Sequence, residues 1–430
     1  RTVGYGPLVA DPAGRLALPQ GFSYKIVTEA GVTTLESGEV TPGNHDGTGA
    51  FPTDDGGTVL VNNHEIFTFA EAAEEGTFPV PLVEGLVYDP AMAGGCTIVV
   101  TDVEGNRVTE YVGVAGTAVN CAGGITPWST WLTCEEDSTR AGTDGATKDH
   151  GYVFEVDPFD RDANLDPKPI KALGRYDHEA AAVDPETSNI YLTEDASEPN
   201  GLYYRWEGPD GFEGGKGALR ELPDDAGVLT AMKCFDATGA YVDDLSRGVE
   251  VGTTYSVEWV AVPDRDATTV DTRLQFAAGE ITRGRKLEGQ WWGRAEGTPG
   301  AFVVTSYARA EDSPVEHDGQ VWFYDPAAAT FTLKVLFGLN PAPDVDGASD
   351  GPDNITVSPW GGLILAEDGE GVQHLIGVTE GGESFPMARN DVSTVEFTGP
   401  VYSEDNTVLF ANVQDPGTMF AITGPWVEQA

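Results

Sequence analysis

Positive charge is scarce in this 430-residue sequence: 24 lysines and arginines face 70 aspartates and glutamates, a formal net charge of −46. A surface so acidic cannot neutralise phosphates along a duplex, so nucleic acid is excluded as a partner. Long apolar runs are missing, and no transmembrane helix is expected. Cysteine is confined to Cys96, Cys121, Cys134 and Cys234. A chain this long folds without disulfides, and the spacing leaves open two bridges, four buried thiols, or a metal ligand with spectators. Six histidines are too few and too scattered for a histidine-rich zinc site. There is no G-x-S-x-G elbow, no Walker loop and no H-E-x-x-H. If the chain is an enzyme, metals should carry its chemistry.

What is abundant is glycine (54) and proline (28), spread evenly as in a protein with many turns. The acidic residues are also dispersed. Most of them read as surface solvation in saline surroundings, and a minority as cation ligands. With Arg1 first, a leader is expected to have been removed, either by the cell or by design of the expressed sequence.

Internal repetition is the strongest signal. DDGGTVLVNNHE (residues 54–65), TPWSTWLTCEE (126–136), DPETSNIYLTED (184–195), SPWGGLILAEDG (358–369) and SEDNTVLFANVQ (403–414) share one plan, and GTPGAFVVTSYA (297–308) is a looser copy. Each is a polar turn followed by a short β-branched or aromatic run, and four of the six end in acidic residues. GLVYDP (85–90), YVFEVDP (152–158) and VWFYDP (321–326) read as further strands entering Asp-Pro turns. Helical periodicity is confined to residues 67–75. The pattern predicts an all-β chain, a six-bladed β-propeller forming a single domain over residues 1–430, with a two-domain β-sandwich as the alternative.

In a propeller, equivalent strand ends converge on the axis. His64 and Glu65, Glu135 and Glu136, Glu194 and Asp195, and Glu367 and Asp368 should therefore meet, and carboxylates that meet repel unless cations neutralise them. Upstream of blade strands lie Glu179 in YDHEAAAVD (176–184), Glu288 in RGRKLEGQWW (283–292) and Asp353 in DGPDNITVSP (350–359). His45 and Asp46 lie in a glycine-rich turn. Oxygen ligands in this number suit Ca²⁺ or Mg²⁺, and a thiolate among them suits iron or zinc. Lys148 and Lys286 stand out as rare cations placed to bind an anionic substrate group.

Taken together, VNNHE, NCAGGITPWSTWLTCEE, DHEAAAVDP, YLTED with GLYYRW, KLEGQWW, GPDNITVSPWGGLILAEDG and VLFANVQDPGTMFAITGPW resemble the PhoX-type alkaline phosphatases, in the family's order and over nearly the whole chain. GYGPLVADPAG with LPQGFSYKIV is similar to the start of the mature domain in that family. The resemblance implies a six-bladed propeller, exported to the periplasm or the medium, that hydrolyses phosphate monoesters at a mixed Fe³⁺ and Ca²⁺ centre. It implies iron at Cys121, Glu179, Glu288 and Asp353, and calcium ligands among Glu65, Glu135, Glu136, Glu194 and Glu367. Where the family carries an arginine two residues before the glutamate, this chain has Lys286, with Arg285 beside it. Arginine grips phosphate in bidentate fashion whereas lysine is a point charge, so the change bears on activity. Lys148 stands near the family's second phosphate-binding lysine.

Three readings follow: a metal-dependent phosphomonoesterase acting on small phosphate esters, a calcium-dependent lactonase-like propeller enzyme, and a non-catalytic secreted calcium-binding scaffold. A monomer is the working expectation. Gly123 and Gly124 are expected to form a tight turn that aims Cys121 at the axis, and Cys134 to pack in mid-strand.

Overall fold

The computed structural model describes residues 3–307 and 313–429. Arg1, and Ala308 at the end of the looser repeat copy, lie outside them. The repeat units form antiparallel strands because their apolar runs are short, β-branched and closed by turn residues. Thr58–His64, for example, is buried at all seven positions, since its sheet is covered on both faces. Among the described residues there is one α-helix, Phe69–Glu75. It starts two residues later than the sequence suggests, because the Thr68 side chain accepts a hydrogen bond from the backbone N–H of Glu71. It stops at Gly76, which takes the left-handed conformation.

The strands form a propeller-like arrangement of four separate sheets and one sheet of eleven strands. Six separate blades were expected. Instead, the sheet that begins at His178–Val183 and the sheet that begins at Leu287–Ala295 are joined at their outer edges by Thr254–Ala261, which pairs with Val228–Phe235 on one side and Thr330–Gly338 on the other. Nothing local in the sequence announces such a bridging strand, since its partners lie far away along the chain.

Six strands form the inner wall: His45–Pro52, Asn120–Ile125, His178–Val183, Leu287–Ala295, Pro352–Val357 and Phe397–Tyr402. Each touches the next, and the last touches the first, so they close a ring. The N-terminal strand Ser23–Glu29 pairs with Thr418–Thr423 and so ties the two ends of the chain into one sheet. Apolar side chains fill the spaces between neighbouring sheets. Phe51, Val61, Ile98 and Trp131 pack in one such layer, and Phe302, Val321, Ile355 and Leu365 in another. Each buried side chain of this size contributes about 1.5–3 kcal/mol, which is what fixes the sheets around the ring.

All six inner strands carry a register shift near their first residues, between His45/Thr48, Asn120/Gly123, His178/Ala181, Leu287/Gln290, Pro352/Ile355 and Thr398/Val401. A bulge re-aims the side chain it contains. Five of the six bulges hold residues that meet in one acidic cluster.

Candidate metal centre

Two positions per unit build the site. The second residue of each inner strand is, in chain order, Asp46, Cys121, Glu179, Glu288, Asp353 and Thr398. The residue just past the end of the strand paired to it is Glu65, Glu136, Asp195, Ser306, Asp368 and Gln414. All the acidic members and the cysteine converge. Five groups of three have ligand atoms within 4.8 Å of one another: Cys121, Glu136 and Glu179; Asp46, Glu65 and Glu396; Glu136, Asp195 and Glu288; Glu179, Glu288 and Asp353; and Asp353, Asp368 and Glu396. The groups share members, so nine carboxylates and one thiol make a single continuous cluster. The Gln414 amide donates to Asp46 at 2.9 Å and to Glu65 at 2.7 Å, tying the sixth unit in without a charge.

Crowding on this scale is unfavourable for the bare chain. Burial, followed by repulsion from neighbouring carboxylates, pushes Glu136, Glu179 and Glu288 well above the usual carboxylate range. Asp353 is pushed up to about 8, first by burial and then by Asp368. Burial, with Glu179 and Glu136 beside it, likewise raises the Cys121 thiol. Among the described residues, the cation in contact with these groups is Lys286, whose Nζ lies 2.9 Å from Glu288 and 3.2 Å from Asp195. Glu288, before the opposing effect of burial, holds the lysine protonated. Lys286 adopts φ 46°, a conformation that costs a non-glycine residue about 1–2 kcal/mol. One ammonium cannot balance nine carboxylates. Among the described residues, the buried Ser306 hydroxyl, in the same place as the acidic residues of the other units, has no hydrogen-bond partner. Hard oxygen donors in excess, one thiol and an orphaned hydroxyl fit a set of bound cations.

The sequence-derived ligands divide cleanly. Glu65, Cys121, Glu136, Glu179, Glu288 and Asp353 are brought together, whereas Glu135, Glu194 and Glu367 are not in the cluster. The last three are the final residues of their strands, one short of the cluster, and side chains alternate along a strand. They turn into the sheets. Glu135 accepts from the backbone of Ala118 and lies 2.6 Å from His150, whose other nitrogen is 3.0 Å from Asp89. Glu194 accepts from Tyr204 Oη at 2.8 Å and from the Leu202 N–H at 3.1 Å. Glu367 accepts from the His374 N–H at 2.7 Å, and the His374 ring also contacts Asp346. His64 takes the corresponding place in the first unit and contacts Gly43 O and Thr97.

Asp195 and Asp368 were visible only as partners in acidic pairs, and Asp46 as a turn residue. Glu396 had no signal in the repeat, because it precedes Thr398 by two residues as Lys286 precedes Glu288. Arg285 and Lys286 line a cavity that reaches Asp195. Lys148 does not line it; its ammonium sits 4.7 Å above the Tyr88 ring. Gly123 and Gly124 form no turn. Both lie within the Asn120–Ile125 strand, and a Cβ on either would come within 1.9 Å of a carbonyl, of Leu132 and Ala181 respectively. They allow neighbouring strands to approach, which carries Cys121 close to the His178–Val183 strand. There its sulfur lies 3.2 Å from His178 O. All four cysteines are free and buried, and Cys134 packs in a core layer with Leu132 and Val153.

A family model described as Alkaline phosphatase PhoX matches residues 3–417. No curated protein matches the sequence. Among solved structures, the fold is similar to that of Pseudomonas fluorescens PhoX in complex with vanadate, a transition state analogue. That likeness has TM-score 0.70 and 18% identity, and covers 99% of this chain and 98% of the other. A gluconolactonase from Xanthomonas campestris aligns at TM-score 0.40 and 13% identity, covering 90% of this chain and 100% of that one.

Proposed function

The chain belongs to the alkaline phosphatase PhoX family, and on that premise we propose that it hydrolyses phosphate monoesters at an iron–calcium centre on the axis of a six-bladed propeller. The observation that carries this reading is the convergence of nine carboxylates with the Cys121 thiol around one lysine. Counting the eleven-stranded sheet as two blades fused through Thr254–Ala261 gives six blades around the closed inner ring, in one domain spanning residues 1–430. The two groups that share Glu179, one of them holding the thiol, are assigned to iron, which tolerates a soft ligand and carries high charge. The three remaining groups, made of Glu136, Asp195 and Glu288, of Asp46, Glu65 and Glu396, and of Asp353, Asp368 and Glu396, are assigned to calcium.

Such ions, when bound, supply Lewis acidity that polarises the phosphoryl oxygens and neutralises charge developing in phosphoryl transfer. The protein's own part is positional. Five of the bulges hold ligands on inner strands of the ring, so little reorganisation accompanies reaction. Lys286, fixed between Asp195 and Glu288, presents a point charge to the phosphate at the mouth of the cavity. Arg285, on the cavity wall, is placed to contact the same group. Among the described residues no helix is long and apolar enough to cross a membrane. The family resemblance supports placement in the periplasm or the medium.

The test is elemental analysis of the purified protein together with turnover of p-nitrophenyl phosphate. Iron and calcium bound with activity is the expected result. Full occupancy by both metals without turnover of any phosphate ester overturns the catalytic assignment. Retention of metal and activity in Cys121→Ala overturns the thiolate-bound iron.

A further inference from the structure

A bulge releases backbone carbonyls from the strand ladder, and a buried carbonyl must then find another donor. At Asp46 and Gly47, at Cys121 and Ala122, and at Glu288 and Gly289, two residues of an inner strand face one residue of its neighbour. Side chains of the preceding unit of the ring take up the carbonyls of these segments. Asn63 donates from Nδ2 to Cys121 O at 3.0 Å and to Ala122 O at 2.9 Å. Thr193 donates from Oγ1 to Glu288 O at 2.8 Å. Asn412 donates from Nδ2 to Asp46 O at 2.8 Å. The three donors are buried and share one place, two residues before the tip residues Glu65, Asp195 and Gln414 of their units.

Two of these donors carry more than a packing role. Asn63 Oδ1 accepts from Trp131 Nε1 at 3.0 Å, Thr133 Oγ1 at 2.9 Å and Cys96 Sγ at 3.0 Å. Three donors on the oxygen fix the amide in one orientation, with its NH₂ group on the carbonyls of Cys121 and Ala122. Asn412 Nδ2 also reaches Asn62 Oδ1 at 2.9 Å, whereas its buried Oδ1 has no hydrogen-bond partner among the described residues. An orphaned buried acceptor is unfavourable, and a leucine of similar size would remove it. Stability therefore does not call for asparagine at this position. Asp46 O does, and so does Asn62, which also accepts from Thr48 at 2.8 Å. Holding the carbonyl of a ligand residue fixes the peptide plane beside its Cα, and with it the direction of the side chain. Within a bulge the ladder does not supply that constraint.

We infer that Asn63, Thr193 and Asn412 are positioning residues of the metal centre: each holds the backbone of a ligand in the next unit, at Cys121, Glu288 and Asp46 respectively. The ligand geometry is then set between blades as well as within them. This inference rests on the reading of the cluster as a metal centre. The full chain loaded with iron and calcium is dialysed against graded EDTA, and the retained metals are measured by elemental analysis. The unfolding temperature of the metal-free chain is measured alongside. In Asn412→Leu the EDTA concentration that removes half the calcium should fall about tenfold, the scale on which partners one step behind a ligand act. Its metal-free unfolding temperature should be unchanged or raised, whereas a merely structural asparagine would lower that temperature and leave metal retention alone. Thr193→Val should show a similar loss of metal, and Thr193→Ser, which keeps the hydroxyl, should recover most of it. The threonine pair carries the test if Asn412→Leu does not fold. Thr101→Val removes a comparable buried bond, from Oγ1 to Thr58 O at 3.3 Å, at the far end of the same sheet as Asn63, and should retain metal as the parent does. Parent-level retention in both Asn412→Leu and Thr193→Val, or an equal loss in Thr101→Val, overturns the inference. A parent chain that binds no metal defeats the metal-centre reading and this inference with it. A parent that holds metal without turnover of p-nitrophenyl phosphate defeats the phosphatase reading alone, and the retention measurements still decide the positioning roles.

Discussion

One residue separates two kinds of buried carboxylate in this protein. Glu135 and Glu136 are adjacent, yet Glu135 lies in the sheet with His150, Ala118, Gly151 and Tyr152 as partners, while Glu136 faces Glu179, Asp195, Glu288 and Cys121. The contrast recurs at Glu194 and Asp195 and at Glu367 and Asp368. A carboxylate with hydrogen-bond donors is part of the scaffold. A carboxylate among carboxylates is a demand for cations. Strand geometry alone assigns the two roles, because successive side chains point to opposite sides.

The sharpest way to break the comparison is to neutralise one member of each kind. Glu179→Gln removes a donor from two of the five groups. It is expected to lower kcat by at least about a hundredfold, with metal lost in elemental analysis, and to leave the unfolding temperature of the metal-free chain unchanged or raised. Glu135→Gln should do the opposite. It leaves His150 with a weaker partner and should cost about 2–3 kcal/mol in chemical denaturation, while bound metal stays near the parent level. Equal loss of metal in both variants would remove the distinction between the two classes.

How far these roles can be read from the sequence depends on what fixes each residue. The repeat of turn, strand and acidic tip is local, and it revealed the all-β class and the second position of each unit. Cys121, Glu179, Glu288 and Asp353 came from motifs, and they all prove to be the second residues of inner strands. The side to which an acidic tip turns depends on where its strand ends, and a pair such as Glu367–Asp368 does not declare that boundary. Glu367 was therefore taken as a ligand ahead of Asp368. Asp46 was read as a turn residue, although it holds the same strand position as Cys121. Glu396 reaches the cluster from two residues before Thr398, a position that no repeat marks. The Thr254–Ala261 bridge depends on pairing between distant segments, which short-range patterns do not encode.

A smaller effect should appear as a pH dependence confined to the metal-free chain. Burial raises Asp353 to about 8, and places Glu65 and Asp368 above their ordinary values as well. A carboxylate raised in the folded state binds more protons there than in the unfolded chain. Its favourable protonated form is fully present below the unfolded value of about 4.3, and stability is lost as pH rises through the folded value. The metal-free protein should therefore lose thermal stability between about pH 4.3 and pH 8, whereas the metal-loaded protein should hold its unfolding temperature over that window. Calorimetric scans at stepped pH, with and without chelator, measure the difference. A metal-free unfolding temperature that rises over this range would mean that the cluster's carboxylates stay ionised in the folded chain without metal.

The smallest effect is expected at Lys148, and it tests the comparison from the side of the cations. Lys286 touches two members of the cluster, while Lys148 is exposed, sits over Tyr88, and has its backbone N–H held by Asp89 at 3.1 Å. Asp89 also contacts His150, so this loop is anchored to the Glu135 network, on the scaffold side of the divide. Removing the ammonium leaves those backbone contacts in place and forfeits one cation–π contact, about 0.5–1 kcal/mol at an exposed site. Lys148→Ala should then change kcat/KM on p-nitrophenyl phosphate by less than about twofold, within the range of such a surface substitution. Lys286→Ala should raise KM by about tenfold or more, because it removes the charge that faces the phosphate. A loss at Lys148 matching that at Lys286 would mean that the loop over residues 137–150 swings its lysine to the axis when substrate binds, and that the scaffold network around Glu135 takes part in the chemistry.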